Sequence, residues 1–434
     1  MPDHSLRRRQ IVTVVLLFGG YASLYFCRAD LSVAMPLLIE ELKSRGMSQD
    51  EAILRMGTIA SLGVLGYALG KLFLGGLGDY WGGRINFLIG LAGATVFTLL
   101  FATTGLIPVF TVAWVGNRLT QSLSWAGLIK VSSKWFNYST YGTVIGILSV
   151  SYLVGDAVAR PLMGALIDQG FGWRALFYFA AAVAAACLII SFLFLRESRV
   201  ELGFEEARTN PLNLFAQSES RPSSVGALLR PLFLSRGFQL ICLLSFGCTI
   251  VRETFNVWTP EYLRDYLGYT AGDAAGLSAI FPGVGVISVL MMGWLSDRLG
   301  VNGRALLMFV GLSATVAALL GLMSLPSGAG NGLLPLVAIG AIAFCLLGPY
   351  SYLGGAFALD FGGKQGSAFA SGMIDGIGYL GSALALRGAA RISVSFGWQG
   401  VFVALAAVSA LAAAGAGYLY MLSSRAAAVQ QPAQ

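Results

Sequence analysis

Two arginines lie deep within apolar stretches at matching places in the two halves of the chain. Arg28 stands in IVTVVLLFGGYASLYFCRADLSVAMP and Arg252 in FQLICLLSFGCTIVRETFNVWTP. Each is followed eight residues later by a proline, Pro36 and Pro260. An arginine at the middle of a bilayer costs about 2.5–3.5 kcal/mol on the insertion scale. Bearing that cost at one spot in a repeated unit predicts a cationic pocket for an anion at the pseudo-twofold axis, and hence an anion carrier.

A guanidinium offers a planar fork matched to phosphate or carboxylate, whereas a lysine acts as a mobile point charge. Helical spacing supplies further groups. Tyr21, Tyr25 and Arg28 share one face of the first helix, and Tyr67 and Lys71 share one of the second. Asn117, Gln121 and Trp125 form a polar–aromatic stripe on the fourth, and Arg252 and Asn256 share a face of the seventh. Such a set would surround a doubly charged oxyanion. Asp375, a carboxylate in a glycine-rich helix, would bind a proton or contact a substrate hydroxyl.

Structural readings compete with these. Arg28 could pair with Asp30 or with the end of another helix, and Lys71 could snorkel toward the interface. Glu253 adjoins Arg252, although adjacent residues on a helix do not face one another. Asp156 and Arg160, four apart, read as a salt bridge, and Arg118 as a structural pairing or an approach to the cytoplasmic side. No nucleophile–base arrangement, phosphate-cradling loop or paired-carboxylate site occurs, so no enzyme is expected.

The elements that must carry these residues are membrane helices. At 434 residues, 56% hydrophobic and 11% charged, the chain is too apolar for a soluble protein. Apolar runs of about 20 residues, each able to cross roughly 30 Å of hydrocarbon, recur along it. Twelve spans are predicted, at residues 11–36, 57–78, 85–104, 106–129, 141–165, 174–195, 237–262, 274–295, 304–325, 332–358, 366–391 and 398–422.

The net charge of +7 reflects topology and not a nucleic-acid footprint. Arg7, Arg8, Arg9, Arg84, Lys130, Lys134, the arginines of residues 196–236, Arg298, Arg304, Lys364 and Arg425 fall on one side. The other side carries Lys43, Arg45, Arg55, Arg174, Arg264, Arg387 and Arg391, partly diluted by acids. The positive-inside rule then makes both termini and the central loop cytoplasmic. Residues 7–27 lack a convincing small-residue cleavage site and read as a retained first helix, and the expected lack of a targeting extension suits a bacterial inner membrane. Five scattered cysteines without a CxxC pair, and His4 as the only histidine, leave neither disulfides nor a metal site expected. No cofactor is implied.

Residues 196–236 form the long polar interruption, which divides the chain into bundles at 1–195 and 237–434. The halves match at an offset of roughly 220 residues. Arg28 and Pro36 align with Arg252 and Pro260, GGLGDYWGGR with GWLSDRLGVNGR, and FGW at 171–173 with FGW at 396–398. Charged loops of both halves fall on the same face, so the repeats are parallel, six helices each. In the repeated glycine–aspartate element, Asp79 and Asp297 would accept from a helix N-terminus or a guanidinium such as Arg84 or Arg304. That makes a latch which opens when the bundles rock.

At these residues the chain resembles the organophosphate:inorganic phosphate antiporters of the major facilitator superfamily, over nearly its whole length. The most specific pieces are YASLYFCRADLSVAMP, YALGKLFLGGLGD, NRLTQSLSWAGLIKVSSKWF and VRETFNVWTPEYL. The resemblance implies that Arg28 and Arg252 grip a phosphoryl group, with Tyr21, Tyr25, Tyr67, Lys71, Gln121, Trp125 and Tyr379 near the pocket. Its fifth helix departs from the family, with Tyr152 and Leu153 where a histidine and asparagine are common, and Asp375 stands at an otherwise uncharged place. The expectation is a monomeric alternating-access carrier exchanging a small organic phosphate for inorganic phosphate. A proton-coupled symporter of an organic anion such as a sugar acid, and a membrane-embedded organophosphate sensor, are the alternatives.

Overall fold

The computed structural model describes residues 2–74, 81–207, 234–299, 301–325 and 333–430. It is built of helices, the form in which a chain in hydrocarbon satisfies its own backbone polar groups. In order these are α1 (Pro2–Ser44), α2 (Gln49–Leu74), α3 (Gly83–Thr103), α4 (Ile107–Trp135), α5 (Tyr138–Asp168) and α6 (Trp173–Phe194). A short 3-10 turn, Arg199–Leu202, follows. Next come α7 (Arg236–Glu261) with a π turn at Tyr262–Tyr266, α8 (Ala271–Leu277), α9 (Ile280–Leu299), α10 (Val301–Met323) and α11 (Leu333–Tyr350). After a second π turn, Leu353–Phe357, the helical stretch α12 runs Ala358–Gln430.

Among the described residues, ten helical stretches are long and apolar enough to cross a membrane. Two differences from the expected spans have physical causes. The predicted spans 366–391 and 398–422 lie on one helical stretch of 73 residues, about 110 Å if straight. Gly397 breaks it into two limbs, because its φ of +69° lies in the left-handed region that a straight helix cannot contain. The expected span 332–358 ends as a regular helix at Tyr350, just after Pro349, and resumes through the π turn. The polar stripe on α4 keeps that helix outside the ten, although it runs 29 residues.

The chain divides into two compact units, residues 1–217 with 270–279, and residues 218–269 with 280–434. In the first, small residues set the helix spacing. Gly66 of α2 meets the backbone of Val115, and Gly70 meets Ser122, so α2 lies directly on α4. Gly155 of α5 faces the backbone of Ala22 with no room for a Cβ, which brings α5 against α1. Segment 270–279 docks on α5 through Gly272 and Gly276 against Gly164. In the second unit, Gly378 packs on Ser245 and Thr249 of α7, and Ser382 donates to the carbonyl of Thr249 at 3.2 Å.

Part of the polar interruption expected as a linker at 196–236 is packed into the first unit. Trp135 Nε1 donates to the carbonyl of Arg196 at 3.0 Å, and the buried Arg199 donates to the carbonyls of Glu205 and Glu206. Residues 208–233 lie outside the described residues.

Candidate functional site

The close approach of α2 to α4 and of α5 to α1 gathers the polar groups of the first unit around Arg28. Its Nε donates to Gln121 Oε1 at 2.6 Å, and its Nη1 to Tyr25 Oη at 2.9 Å. Gln121 is fully buried and anchored in turn, since its Nε2 donates to Asn117 Oδ1 and to the carbonyl of Cys27. Asn117 donates onward to Thr98 at 2.7 Å. The guanidinium therefore sits on a chain of buried amides with its orientation fixed.

Aromatic rings complete this half. The Arg28 guanidinium carbon lies 4.4 Å from the ring centroids of both Tyr25 and Tyr67. Lys71 Nζ lies 5.4 Å from the Tyr67 ring, and Arg118 stacks on the same ring at 5.1 Å. Cation–π contacts of this kind are worth about 2 kcal/mol when desolvated. Tyr21 packs on Tyr25 and Trp125, with centroids 5.9 and 5.2 Å apart, and Tyr25 packs on Tyr152 at 5.5 Å. Three cationic side chains thus gather around one tyrosine ring beside an aromatic wall.

In the second unit Arg252 is 7% exposed and Glu253 6%. Arg252 Nη2 donates to Glu253 Oε1 at 2.6 Å and to Tyr379 Oη at 2.9 Å. This corrects the expectation that neighbouring helical residues would point apart. The helix does separate their Cα–Cβ directions, but a long arginine curls back to the adjacent carboxylate when both are withdrawn from water. Asn256 Nδ2 donates to the same Oε1 at 3.3 Å. Tyr350 lies under the guanidinium at 4.5 Å. Asp375 Oδ1 packs against Gly354, where a Cβ would have no room.

The structure thus brings Tyr21, Tyr25, Arg28, Tyr67, Lys71, Gln121 and Trp125 together in one unit, and Arg252, Asn256 and Tyr379 in the other. Asp156 and Arg160 form the expected salt bridge at 3.0 Å, and Arg160 also donates to Ser278 at 3.0 Å. Sequence reasoning missed Tyr350, which lies against Arg252, and Tyr152, which packs on Tyr25. Tyr350 follows Pro349 at a helix end, where tyrosines usually read as interfacial.

At the opposite pole of the first unit, the expected latch is only partly visible. Asp79 lies outside the described residues, and the side chain of Asp297 is not described. Arg304 is half-buried. Arg84 donates through Nη2 to the carbonyl of Phe192 at 2.7 Å. An acid that sequence reasoning overlooked organises this region. Glu197 accepts from the backbone N–H of Gly83 at 3.0 Å and of Arg84 at 2.6 Å, capping α3, and from Lys134 Nζ at 2.7 Å. Gly82, with φ +92°, turns the chain tightly beneath that carboxylate. Burial pushes the Glu197 carboxyl up, but the hydrogen bonds from Lys134 and the two N–H groups outweigh it and hold it below its usual range.

Known proteins align along almost the full length. The chain is 24% identical over 412 residues to the glycerol-3-phosphate transporter of Bacillus subtilis (strain 168), covering 93% of this chain and 90% of that protein. It is 27% identical over 415 residues to a probable hexose phosphate transport protein of Chlamydia trachomatis serovar D, covering 91% and 88%. A crystal structure of a bacterial homologue of the human lysosomal transporter Spinster, inward-facing and unoccupied, superposes with a TM-score of 0.73. That match has 16% identity and covers 96% of this chain and 97% of that one, which speaks to the fold. The Major Facilitator Superfamily model matches residues 17–386, and this chain, a multi-pass membrane protein, belongs to that superfamily.

Proposed function

We propose that this protein carries a small organic phosphate across the membrane in exchange for inorganic phosphate, by alternating access. It acts as a carrier and not as an enzyme. Arg28 and Arg252 bind the phosphoryl oxygens, Lys71 and Tyr67 add a second cation and a hydroxyl, and Tyr21, Tyr25, Gln121, Trp125, Asn256, Tyr379 and Asp375 line the site. The observation that carries the reading is the mounting of Arg28. A guanidinium fixed through Nε by a buried glutamine and flanked by Lys71 is prepared for a dianion that arrives later. The relatives named for glycerol 3-phosphate and hexose phosphate support the same cargo class.

The wider reading follows from the same charge pattern. Two six-helix bundles, 1–195 and 237–434, joined by 196–236, move as a monomer in a bacterial inner membrane with both termini cytoplasmic. Asp79 and Asp297, with Arg84 and Arg304, act as latches on the cytoplasmic face.

Binding of inorganic phosphate and glycerol 3-phosphate to the purified protein tests the assignment. Arg28→Lys keeps the charge and loses the fork, so affinity is expected to fall at least ten-fold, or about 1.4 kcal/mol. Arg252→Lys should behave likewise. Unchanged affinity in both variants removes these arginines from the site.

A further inference from the structure

The two arginines are mounted differently. Arg28 donates to the neutral acceptors Gln121 Oε1 and Tyr25 Oη. Arg252 donates to a carboxylate, Glu253 Oε1, and the two charges are both buried. A phosphoryl dianion reaching Arg252 therefore shares one buried guanidinium with Glu253, so two anionic groups face a single cation. Among the described residues, Tyr379 of α12 accepts from Arg252, Tyr350 of α11 lies under it, and Asp375 of α12 is close enough to act electrostatically on Tyr350.

The incoming anion then lies next to a buried carboxylate, and one guanidinium does not neutralise both. Such a group is relieved by taking a proton. We propose that Glu253 couples transport to protons: the substrate anion and one proton from the adjoining water bind together at the Arg252–Glu253 pair, and leave together on the other side. No covalent bond changes; the proton resides on a Glu253 carboxylate oxygen while the anion holds Arg252.

A second consequence concerns the unloaded protein. When the cargo departs, the pair re-forms and Arg252 is neutralised from within, without phosphate. The unloaded carrier then returns across the membrane, which permits net proton-coupled uptake alongside exchange. This rests on the reading of the cargo as an organic phosphate.

The test uses the full chain in proteoliposomes with labelled glycerol 3-phosphate. One arm measures exchange against internal inorganic phosphate. The other measures net uptake into phosphate-free vesicles under an inward proton gradient. The wild type should show both, with net uptake lost when the gradient is collapsed. In Glu253→Gln the ratio of net uptake to exchange should drop at least ten-fold, and the acid stimulation of net uptake should disappear, whatever happens to the absolute exchange rate. Wild-type net uptake indifferent to the gradient overturns the proposal, even if the variant fails to fold. So does a wild-type ratio in Glu253→Gln, or loss of coupling in Asp375→Asn instead. Absence of phosphate binding and of both fluxes in the wild type defeats the cargo assignment, a separate failure.

Discussion

Gln121 decides how Arg28 meets its ligand. Its Oε1 takes the Arg28 Nε, while its Nε2 is held by Asn117 and the carbonyl of Cys27, so the amide cannot flip without breaking three hydrogen bonds. Replacing it by leucine leaves a buried guanidinium N–H unsatisfied, at a cost of about 1–3 kcal/mol. Phosphate affinity should fall about ten-fold as Arg28 loses its set orientation. Gln121→Glu has a sharper meaning. It builds beside Arg28 the ion pair that Arg252 already forms with Glu253, so a carboxylate now competes with the substrate. Equilibrium binding should show a larger loss for Gln121→Glu than for Gln121→Leu. Equal losses would mean that Gln121 acts by packing and not by presenting a neutral acceptor to Arg28.

Elements were legible in the sequence where a physical oddity marked them. An arginine in a run of leucines and valines stands out, and helical spacing led directly from Arg28 to Tyr25 and from Tyr67 to Lys71. The FGW turns were visible as repeats, and Gly397 does break α12. The Arg252–Glu253 contact was hidden because helical geometry alone predicts divergence, while burial favours the curled rotamer. Glu197 was hidden for another reason. Two of its partners are backbone N–H groups of Gly83 and Arg84, more than a hundred residues away, and backbone donors leave no mark in a sequence. It ties the start of α3 to the ends of α4 and α6. Capping of this kind is worth about 1 kcal/mol. Because its folded-state carboxyl sits below the usual range, the stabilisation is fully present above about pH 4.3 and is lost as pH falls through the lower folded value. Thermal unfolding of Glu197→Gln should therefore be lower than wild type at pH 7, and the gap should close in acid. A gap that persists unchanged to pH 3 would assign the effect to shape and not to charge.

For the whole molecule, the two poles of the first unit differ in charge, and the proposed direction in the membrane rests on that difference. At one pole Glu41 gathers Arg45, Trp173 and Arg174, and Arg45 and Arg174 also donate to the carbonyls of Gly105 and Thr104. Glu40, Asp50 and Glu51 offset the basic residues there. The opposite pole holds Arg84, Lys130, Lys134, Arg196 and Arg199 with Arg7, Arg8 and Arg9 of the start of α1, and these outnumber Glu197, Glu201, Glu205 and Glu206 there. Arginine and lysine near short loops resist translocation, so the Glu197 pole is the one expected on the cytoplasmic side under the proposed topology. Asp50 and Glu201 are both exposed, one at each pole, and none of the native cysteines is. In right-side-out vesicles, Asp50→Cys should react with a membrane-impermeant maleimide, while Glu201→Cys should react only after permeabilisation. The reverse pattern would invert the topology, and with it the side on which the Glu197 network and the latch residues act.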